Sequence, residues 1–289
     1  MWAPLAESSP LIGLAYNRGA ESLIKRNPAS ADYLEVPFEL LRHDASIIDL
    51  KQYKPFILHC ASMSIAGSAR PPLTTIQQIF EWIDRTETPW LGEHLSFITA
   101  EKPGASSHWD EYAPGEPYNI GYTVSPPMNE ETITMVVESV DACQHHFAIP
   151  LLLENPPLYF LPPGTTMSQA DFIRSICGQT SANLLLDLTH LYITSRNFDF
   201  DPRRELLKYP LERVVEVHVS GVDCQADIHW DNHASPVPDP ILQMLPLVLE
   251  RGKVRAVTLE YNWPSAMVES VLVDEVDRVR RVVQRGMPG

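Results

Sequence analysis

The sequence has few cysteines, and they stand far apart. The four are Cys60, Cys143, Cys177 and Cys224, and no two of them form a Cys-x-x-Cys pair. This spacing excludes a paired-cysteine zinc site and gives no sign of a disulfide framework. We therefore expect reduced thiols that are mostly packed inside the protein.

Long apolar runs and positive charge are also scarce. No stretch approaches the roughly 20 apolar residues needed to cross a bilayer, and the N-terminal MWAPLAESSP has neither the basic nor the apolar region of a secretory signal. The 22 basic against 37 acidic side chains give a formal charge of −15, which repels phosphate backbones and anionic lipid. We expect a cytoplasmic protein with neither nucleic acid nor membrane as a partner.

The glycine-rich motifs of nucleotide-binding enzymes are missing. The sequence contains neither Gly-x-Gly-x-x-Gly nor Gly-x-x-x-x-Gly-Lys, and no Gly-x-Ser-x-Gly surrounds Ser62 or Ser64. Nicotinamide, flavin and nucleotide chemistry therefore has no support in the sequence, and a serine hydrolase has none either.

Eight short apolar runs are present, and stretches of helical periodicity alternate with them. The runs are LIGLAY from Leu11, DYLEVPF from Asp32, FILHCAS from Phe56, WLGEHLSF from Trp90, PLLLEN from Pro150, ANLLLDL from Ala182, VVEVHVS from Val214 and AVTLEYN from Ala256. Such runs are typical of strands buried on both faces. The helical stretches include those from Thr74, Asn129, Asp239 and Ser265. This alternation predicts an α/β fold, a single (β/α)8 TIM barrel over residues 1–289.

One polar segment, rich in Pro, Gly and aromatic residues, runs from Thr99 to Pro127. Loops of this length in a compact domain are usually functional lids or disordered segments. Because it follows the fourth predicted strand, we expect it over the C-terminal mouth of the barrel, either as a lid or as a disordered insertion. His108 and Trp109 in this segment, together with Ser62, are candidates for substrate binding.

Side chains that bind metals stand at or just after the ends of the apolar runs. They are His59, His94, Glu154, Asp187, His190, His218, Asp231, His233 and Glu260. The C-terminal ends of barrel strands converge on one mouth, so these side chains would meet there. A structural metal takes about four protein ligands, so nine candidates predict two or three ions that share carboxylates.

The ligand types narrow the choice of metal without fixing it. Imidazole and carboxylate without thiolate indicate Fe, Mn, Zn or Co. Iron with open positions would activate oxygen, zinc would favour hydrolysis, and a closed ligand shell would indicate metal storage. Glu93 and Glu216 are expected to orient ligand imidazoles rather than to bind metal. Asn155 is either an outer ligand or a strand-end cap.

Seven segments together resemble the multinuclear non-haem iron-dependent oxidative enzymes, whose methanobactin-type and thiaglutamate-type members modify peptides. The segments are HCASMSIAGS at His59, GEHLSF at Gly92, LLLENPPLYF at Leu151, LLLDLTHLYITSRN at Leu184, VVEVHVSG at Val214, DNHASPVPD at Asp231 and TLEYNWP at Thr258. They follow the family's order, and GEHLS and the ENP run are the more distinctive. Two positions depart from many relatives: Thr189-His190 stands where they carry Asn-Asn, and Asn262 where they carry an acidic residue.

The resemblance implies a barrel of the xylose-isomerase and endonuclease-IV type that holds two or three iron ions, ferrous or ferric. Such an enzyme uses dioxygen to oxidise a residue, usually cysteine, of a ribosomally made precursor peptide, by excising its β-carbon or by forming an oxazolone and a thioamide. The resemblance makes the nine side chains iron ligands, with Asp187, His190 and Asn155 in catalytic roles. It also implies a small partner protein that binds the leader peptide.

The nine side chains resemble a second ligand set as well, the trinuclear zinc set of endonuclease-IV-type repair enzymes. A zinc- or manganese-dependent hydrolase or isomerase is therefore the alternative function.

Overall fold

Eight parallel strands close into a barrel in the computed structural model, which describes residues 9–101, 117–146, 148–262 and 269–286. In chain order the strands are β1 Leu11–Ala15, β2 Tyr33–Pro37, β3 Phe56–Cys60, β4 Leu91–His94, β5 Phe97–Glu101, β6 Pro117–Val124, β7 Leu151–Glu154, β8 Asn183–Asp187, β9 Val214–Ser220, β10 Val222–Gln225, β11 Ile228–Asp231 and β12 Ala256–Glu260. The barrel order is β1-β12-β9-β8-β7-β4-β3-β2. Each of the eight apolar runs supplies one barrel strand, so the predicted (β/α)8 barrel is confirmed.

Helices connect the strands on the outside of the barrel. The α-helices are α1 Arg18–Arg26, α2 Phe38–His43, α3 Leu73–Thr86, α4 Glu130–Gln144, α5 Gln169–Gln179, α6 Leu188–Asn197, α7 Pro202–Leu206, α8 Asp239–Leu242, α9 Leu245–Arg251 and α10 Glu269–Gly286. Three short 3-10 helices span Pro28–Ser30, Ala45–Gln52 and Leu211–Arg213. Within the described ranges, no helix combines the length and hydropathy of a membrane span.

The helix predicted from Asp239 differs from expectation, because it is divided into α8 and α9. Pro246 lies in the first turn of α9. Proline has no backbone N–H to donate to the carbonyl four residues earlier, so it cannot continue a helix that started at Asp239. The part of the last predicted helix before Glu269 lies largely outside the described residues.

Two antiparallel hairpins, β5 with β6 and β10 with β11, stand apart from the barrel sheet. The first hairpin occupies both ends of the segment expected to be a loop, while residues 102–116, with His108 and Trp109, lie outside the described ranges. Its register is irregular: Phe97 pairs with Val124, but Thr99 pairs with Asn119. Residues 120–123 therefore stand opposite Ile98 alone, and we call this irregularity of the strand pairing the β6 bulge. Bulges are common beside active sites.

The barrel interior is divided into a lower, largely apolar layer and an upper polar layer. The lower layer packs Tyr33, Ile57, Trp90, Leu152, Leu185 and Ala256 against one another. Strand side chains alternate between faces, so residues two positions further along a strand point into the same interior. That rule places Glu35, His59, Glu154 and Asp187 in the upper layer.

Candidate metal centre

The nine predicted ligands lie together at the C-terminal mouth of the barrel. Eight of them fall into three groups whose ligand atoms lie within 4.8 Å of one another. The ninth, Glu260, brings Oε2 to 3.5 Å from His218 Nδ1 and 3.6 Å from His233 Nε2. The three groups are His59 with His94 and Glu154, Glu154 with Asp187 and His218, and His190 with Asp231 and His233.

Glu154, at the end of β7, joins two of these groups. Its Oε2 lies 2.7 Å from His94 Nδ1 and 3.2 Å from His59 Nε2. Its Oε1 lies 3.5 Å from both His190 Nδ1 and His218 Nδ1. A carboxylate whose two oxygens face different sets of imidazoles has the geometry to bridge two ions.

His190 is held in one orientation by the start of α6. Asp187 caps that helix, its Oδ1 accepting from the His190 N–H at 2.6 Å. The imidazole Nδ1 lies 2.8 Å from the Asn155 carbonyl oxygen and donates to it, which leaves Nε2 unprotonated in the neutral ring. That Nε2 faces Asp231 Oδ2 at 3.1 Å, and Asp231 Oδ1 lies 2.8 Å from His233 Nε2.

Glu35 belongs to the cluster, although the sequence analysis did not find it. Its Oε2 lies 2.9 Å from His218 Nε2, so the other nitrogen, Nδ1, faces Glu154 and Glu260. A carboxylate behind an imidazole fixes the tautomer and the direction of the ring. Glu35 stands inside an apolar run rather than at its end. The sequence signal for it is an ionisable residue within a strand predicted to be buried on both faces, because a buried carboxylate needs a partner.

Asn155 is occupied by the backbone of the neighbouring strand. Its amide nitrogen donates to the Asp187 carbonyl oxygen, and its amide oxygen accepts from the Asp187 N–H, both at 2.9 Å. Both side-chain groups therefore tie β7 to β8. Of the two predicted roles, outer ligand or strand-end cap, this geometry is that of a strand-end cap. The cap positions Asp187.

Glu216 lies one layer below the ligands. Its carboxylate accepts from Trp90 Nε1 and from Thr258 Oγ1, each at 2.7 Å, and stays 3.9 Å from His218 Nε2. Burial, together with the charge of Glu35, raises the pKa of Glu216 to about 8. The short contact expected of Glu216 is made by Glu35.

Glu93 and Ser62 face away from the cluster. Strand alternation turns Glu93 to the outer face of β4, where it is buried beside the Cys60 thiol. Burial raises its pKa well above the ordinary value, with the charge of Glu39 adding to the shift. Ser62 Oγ donates to Glu39 Oε1 at 2.6 Å.

The donor atoms of the cluster fit cations. Buried polar atoms are normally hydrogen-bonded. Several here make no hydrogen bond of good geometry with any described residue, and they converge on one another: Glu154 Oε2, Asp187 Oδ2, His218 Nδ1, His233 Nε2 and Glu260 Oε2. Imidazole and carboxylate oxygen suit Fe, Mn or Zn.

The protonation of the cluster is governed by its mixture of charges. Burial alone would raise the pKa of Glu154, but the imidazoles of His94, His218 and His59 hold it well below the ordinary value. Burial raises the pKa of Asp187 to about 7, against the lowering effect of His190. Bound cations would neutralise these carboxylates and take the place of protons on the imidazoles.

Solved structures share the fold of this chain. The 3-keto-D-glucoside 4-epimerase of E. coli has a TM-score of 0.57 at 14% identity, covering 94% of this chain and 99% of that one. A xylose isomerase-like TIM barrel protein from Mycobacterium smegmatis, in complex with magnesium, has a TM-score of 0.59 at 14% identity and covers 100% of both chains. At this identity the likeness establishes the barrel type and nothing about the reaction.

Proteins related in sequence have a higher identity to this chain than these structures do. A UPF0276 protein from Caulobacter vibrioides is 29% identical over 196 residues, which are 68% of this chain and 65% of that protein, just under two thirds of its length. A UPF0276 protein from Pseudomonas aeruginosa is 28% identical over 240 residues, 82% of this chain and 78% of that protein. The model of the family described as RiPP precursor modification enzyme MbnB/TglH/ChrH matches residues 11–284, and the chain therefore belongs to that family.

Proposed function

We propose that this protein is a multinuclear non-haem iron enzyme that uses dioxygen to oxidise a cysteine of a ribosomally made precursor peptide. One observation carries the proposal: Glu154 is shared between two groups of imidazole and carboxylate donors in a chain of this family. A shared carboxylate supports a multinuclear centre over a single catalytic ion. The absence of any cysteine from the nine predicted ligands favours iron, manganese or zinc over softer metals.

The three donor groups would each hold one ion. Glu154 would bridge the ion held by His59 and His94 to the one held by Asp187 and His218, with Glu260 beside the latter. His190, Asp231 and His233 would hold the third. Bound iron would supply the redox chemistry toward dioxygen.

The chain's own residues keep this arrangement in place. Asn155 and the α6 cap fix Asp187, and the Asn155 carbonyl fixes the His190 tautomer. We propose that Asn155 acts as a positioning residue, and that Asp187 and His190 act at the metal. A small partner protein that binds the leader peptide, and a cytoplasmic location, remain part of this proposal.

Metal analysis and turnover test the proposal together. The protein would be purified without oxygen, and its metals would be measured and characterised by iron Mössbauer spectroscopy. Candidate precursor peptides and partner proteins, sought among the neighbouring genes, would then be added together with air. We expect two or three coupled irons per chain, oxygen consumption, and a changed mass at a peptide cysteine. Stoichiometric zinc without iron, with no oxygen consumption, would refute the proposal and favour the hydrolase or isomerase.

Two variants give that experiment its internal control. His190→Ala and Asp187→Ala should lose iron and peptide oxidation, because both side chains are buried among the donors. Leu73→Ala, at an exposed helix start, should retain both. Full iron content and full oxidation in the first two variants would remove them from the ligand set.

A further inference from the structure

A cavity of about 470 Å³ opens beside the metal centre. At its inner end it is lined by His94, His190 and Asp231, which are predicted ligands. Its remaining wall comes from three places: the end of β6, residues 156–160 after β7, and Trp230 of β11. Its size falls within the roughly 300–1,000 Å³ of ligand sites, enough for one large side chain and its flanking backbone.

Two stacked aromatic rings form one wall of the cavity. Tyr159 and Trp230 have ring centroids 4.5 Å apart and planes inclined by 29°. The Tyr159 hydroxyl accepts from the Asp231 N–H at 3.4 Å, so the stack begins beside a predicted ligand. Trp230 is 37% exposed and Phe160 is 63% exposed. Exposed rings along a concave wall favour apolar and aromatic partners.

This aromatic wall is held in place by Asn197 of α6. Asn197 Oδ1 accepts from the His229 N–H at 2.8 Å, and its Nδ2 lies 3.1 Å from the His229 carbonyl oxygen and 3.2 Å from that of Leu158. One side chain thus ties down both segments that carry the stacked rings. A wall fixed before binding loses little conformational entropy when a ligand arrives.

The β6 bulge forms the facing wall. Tyr122, Thr123 and Val124 all line the cavity although they are consecutive. Successive side chains of a regular strand point to opposite faces, so three consecutive lining residues indicate that main-chain atoms as well as side chains border the cavity at this irregular part of β6. An edge offers main-chain N–H and C=O groups to an extended peptide.

The charge of the lining argues against a phosphorylated ligand. None of the described lining residues is Lys or Arg, and the charged lining groups all belong to the ligand cluster. Phosphate recognition in proteins relies on those cations or on helix N-termini, and the N-terminus of α6 beside the cavity is already capped by the Asp187 carboxylate. Beyond its metal end the described lining is therefore uncharged and mostly apolar, with hydroxyl groups at Thr123, Ser125 and the two tyrosines.

We propose that this cavity is a specificity subsite for an aromatic or large aliphatic side chain adjacent to the modified residue of the peptide. The peptide lies extended along the β6 bulge, with that side chain against Trp230. This subsite takes its substrate class, a peptide, from the proposed function. It adds that the residue next to the modified one is aromatic or large and aliphatic.

Binding of short peptides tests the subsite separately from turnover. The probes are Ac-Ala-Xaa-Ser-Ala-NH2 and Ac-Ala-Ser-Xaa-Ala-NH2, with Xaa as Phe, Leu, Ala or Asp and serine in place of the reactive cysteine. They are titrated calorimetrically into the metal-loaded full chain without oxygen. We expect the Phe peptide of one order to bind at least about tenfold more tightly than its Ala counterpart, about 1.4 kcal/mol, and the Asp peptide to bind least.

Trp230→Ala should reduce the Phe preference below about threefold with the metal content unchanged, while Trp230→Phe should keep most of it. Ile228→Ala is the matched control, because Ile228 lies on the same strand with the same 37% exposure and does not line the cavity. Thermal melting checks that each variant is folded.

Two results would overturn the subsite: no Phe preference in the unaltered chain, or a preference that survives in folded Trp230→Ala. Neither result would touch the proposed function, which is read from iron content and peptide oxidation. Conversely, a Trp230-dependent preference in a protein that oxidises no peptide would support the subsite and refute the proposed reaction.

Discussion

Gly92 offers a test of the metal centre by a single methyl group. A Cβ at this position would lie 2.5 Å from His59 Nδ1 and 3.1 Å from Leu185 Cδ1. Non-bonded atoms at contact lie about 3.5–4.0 Å apart, so Gly92→Ala would push the imidazole by about 1 Å. His59 Nε2 now lies 3.2 Å from Glu154 Oε2, and metal–ligand distances hold to about ±0.2 Å.

We therefore expect Gly92→Ala to weaken metal binding at the group formed by His59, His94 and Glu154 at least tenfold, which is about 1.4 kcal/mol of binding free energy. The barrel should still fold, because overpacking of a core typically costs about 1–3 kcal/mol. The assay is metal content after dialysis against buffers of defined free metal, together with thermal unfolding.

Gly178→Ala supplies the control for this change. No atom lies within 4 Å of a Cβ at Gly178, and replacing glycine inside a helix by alanine stabilises it by about 0.5–1 kcal/mol. This variant should bind metal normally and melt no lower than the unaltered protein. Normal metal affinity in Gly92→Ala would refute the role assigned to His59.

Three further predictions concern the same region and the thiols. Glu35→Gln should weaken metal binding about 10–100-fold, as loss of a carboxylate behind a ligand imidazole does, in a metal titration; unchanged affinity would contradict it. Burial lowers the pKa of His59 and His233, but nearby carboxylates, led by Glu35 and Glu260 respectively, raise each to about 9. Both rings are then protonated at pH 7 and must lose protons to bind metal, so affinity should rise from pH 7 to pH 9, and calorimetry in buffers of different ionisation enthalpy should detect proton release. A maleimide should label Cys224, the exposed thiol, far faster than the other cysteines in native protein. Mass spectrometry would follow the labelling, and Cys224→Ser should abolish the fast phase.

The barrel could be predicted because its strands are buried on both faces and read as apolar runs. The meeting of the nine candidate side chains could be predicted because strand ends converge on one mouth. The β5–β6 hairpin was not predicted, although apolar and polar residues alternate from Tyr118 to Val124 as they do in a strand. The Pro and Gly content of the surrounding segment favoured a loop, and the register of the hairpin is broken between Phe97 and Thr99.

Glu35 and Glu216 mark the limit of reading a site from sequence. Both are acidic residues within apolar strands. The sequence predicted an orienting role for Glu216, whereas Glu35 makes the shorter contact with His218, 2.9 Å against 3.9 Å. Glu35 stands on β2, three positions from β9 in the closed barrel order. Whether it reaches His218 depends on the stagger across those strands, a property of barrel closure. No local pattern reports that stagger.

The layer beneath the ligands determines how the centre can be reached. The Tyr33 hydroxyl lies 2.7 Å from Thr258 Oγ1, which donates to Glu216, and Glu216 also accepts from Trp90. This bonded network and the bulky rings of Tyr33 and Trp90 pack the barrel under the donors. The cavity that reaches the donors lies at the mouth, along the wall that carries Trp230. Under the proposed subsite, substitutions in that wall would alter which peptide binds without changing any predicted ligand, which would separate specificity from metal binding in this fold.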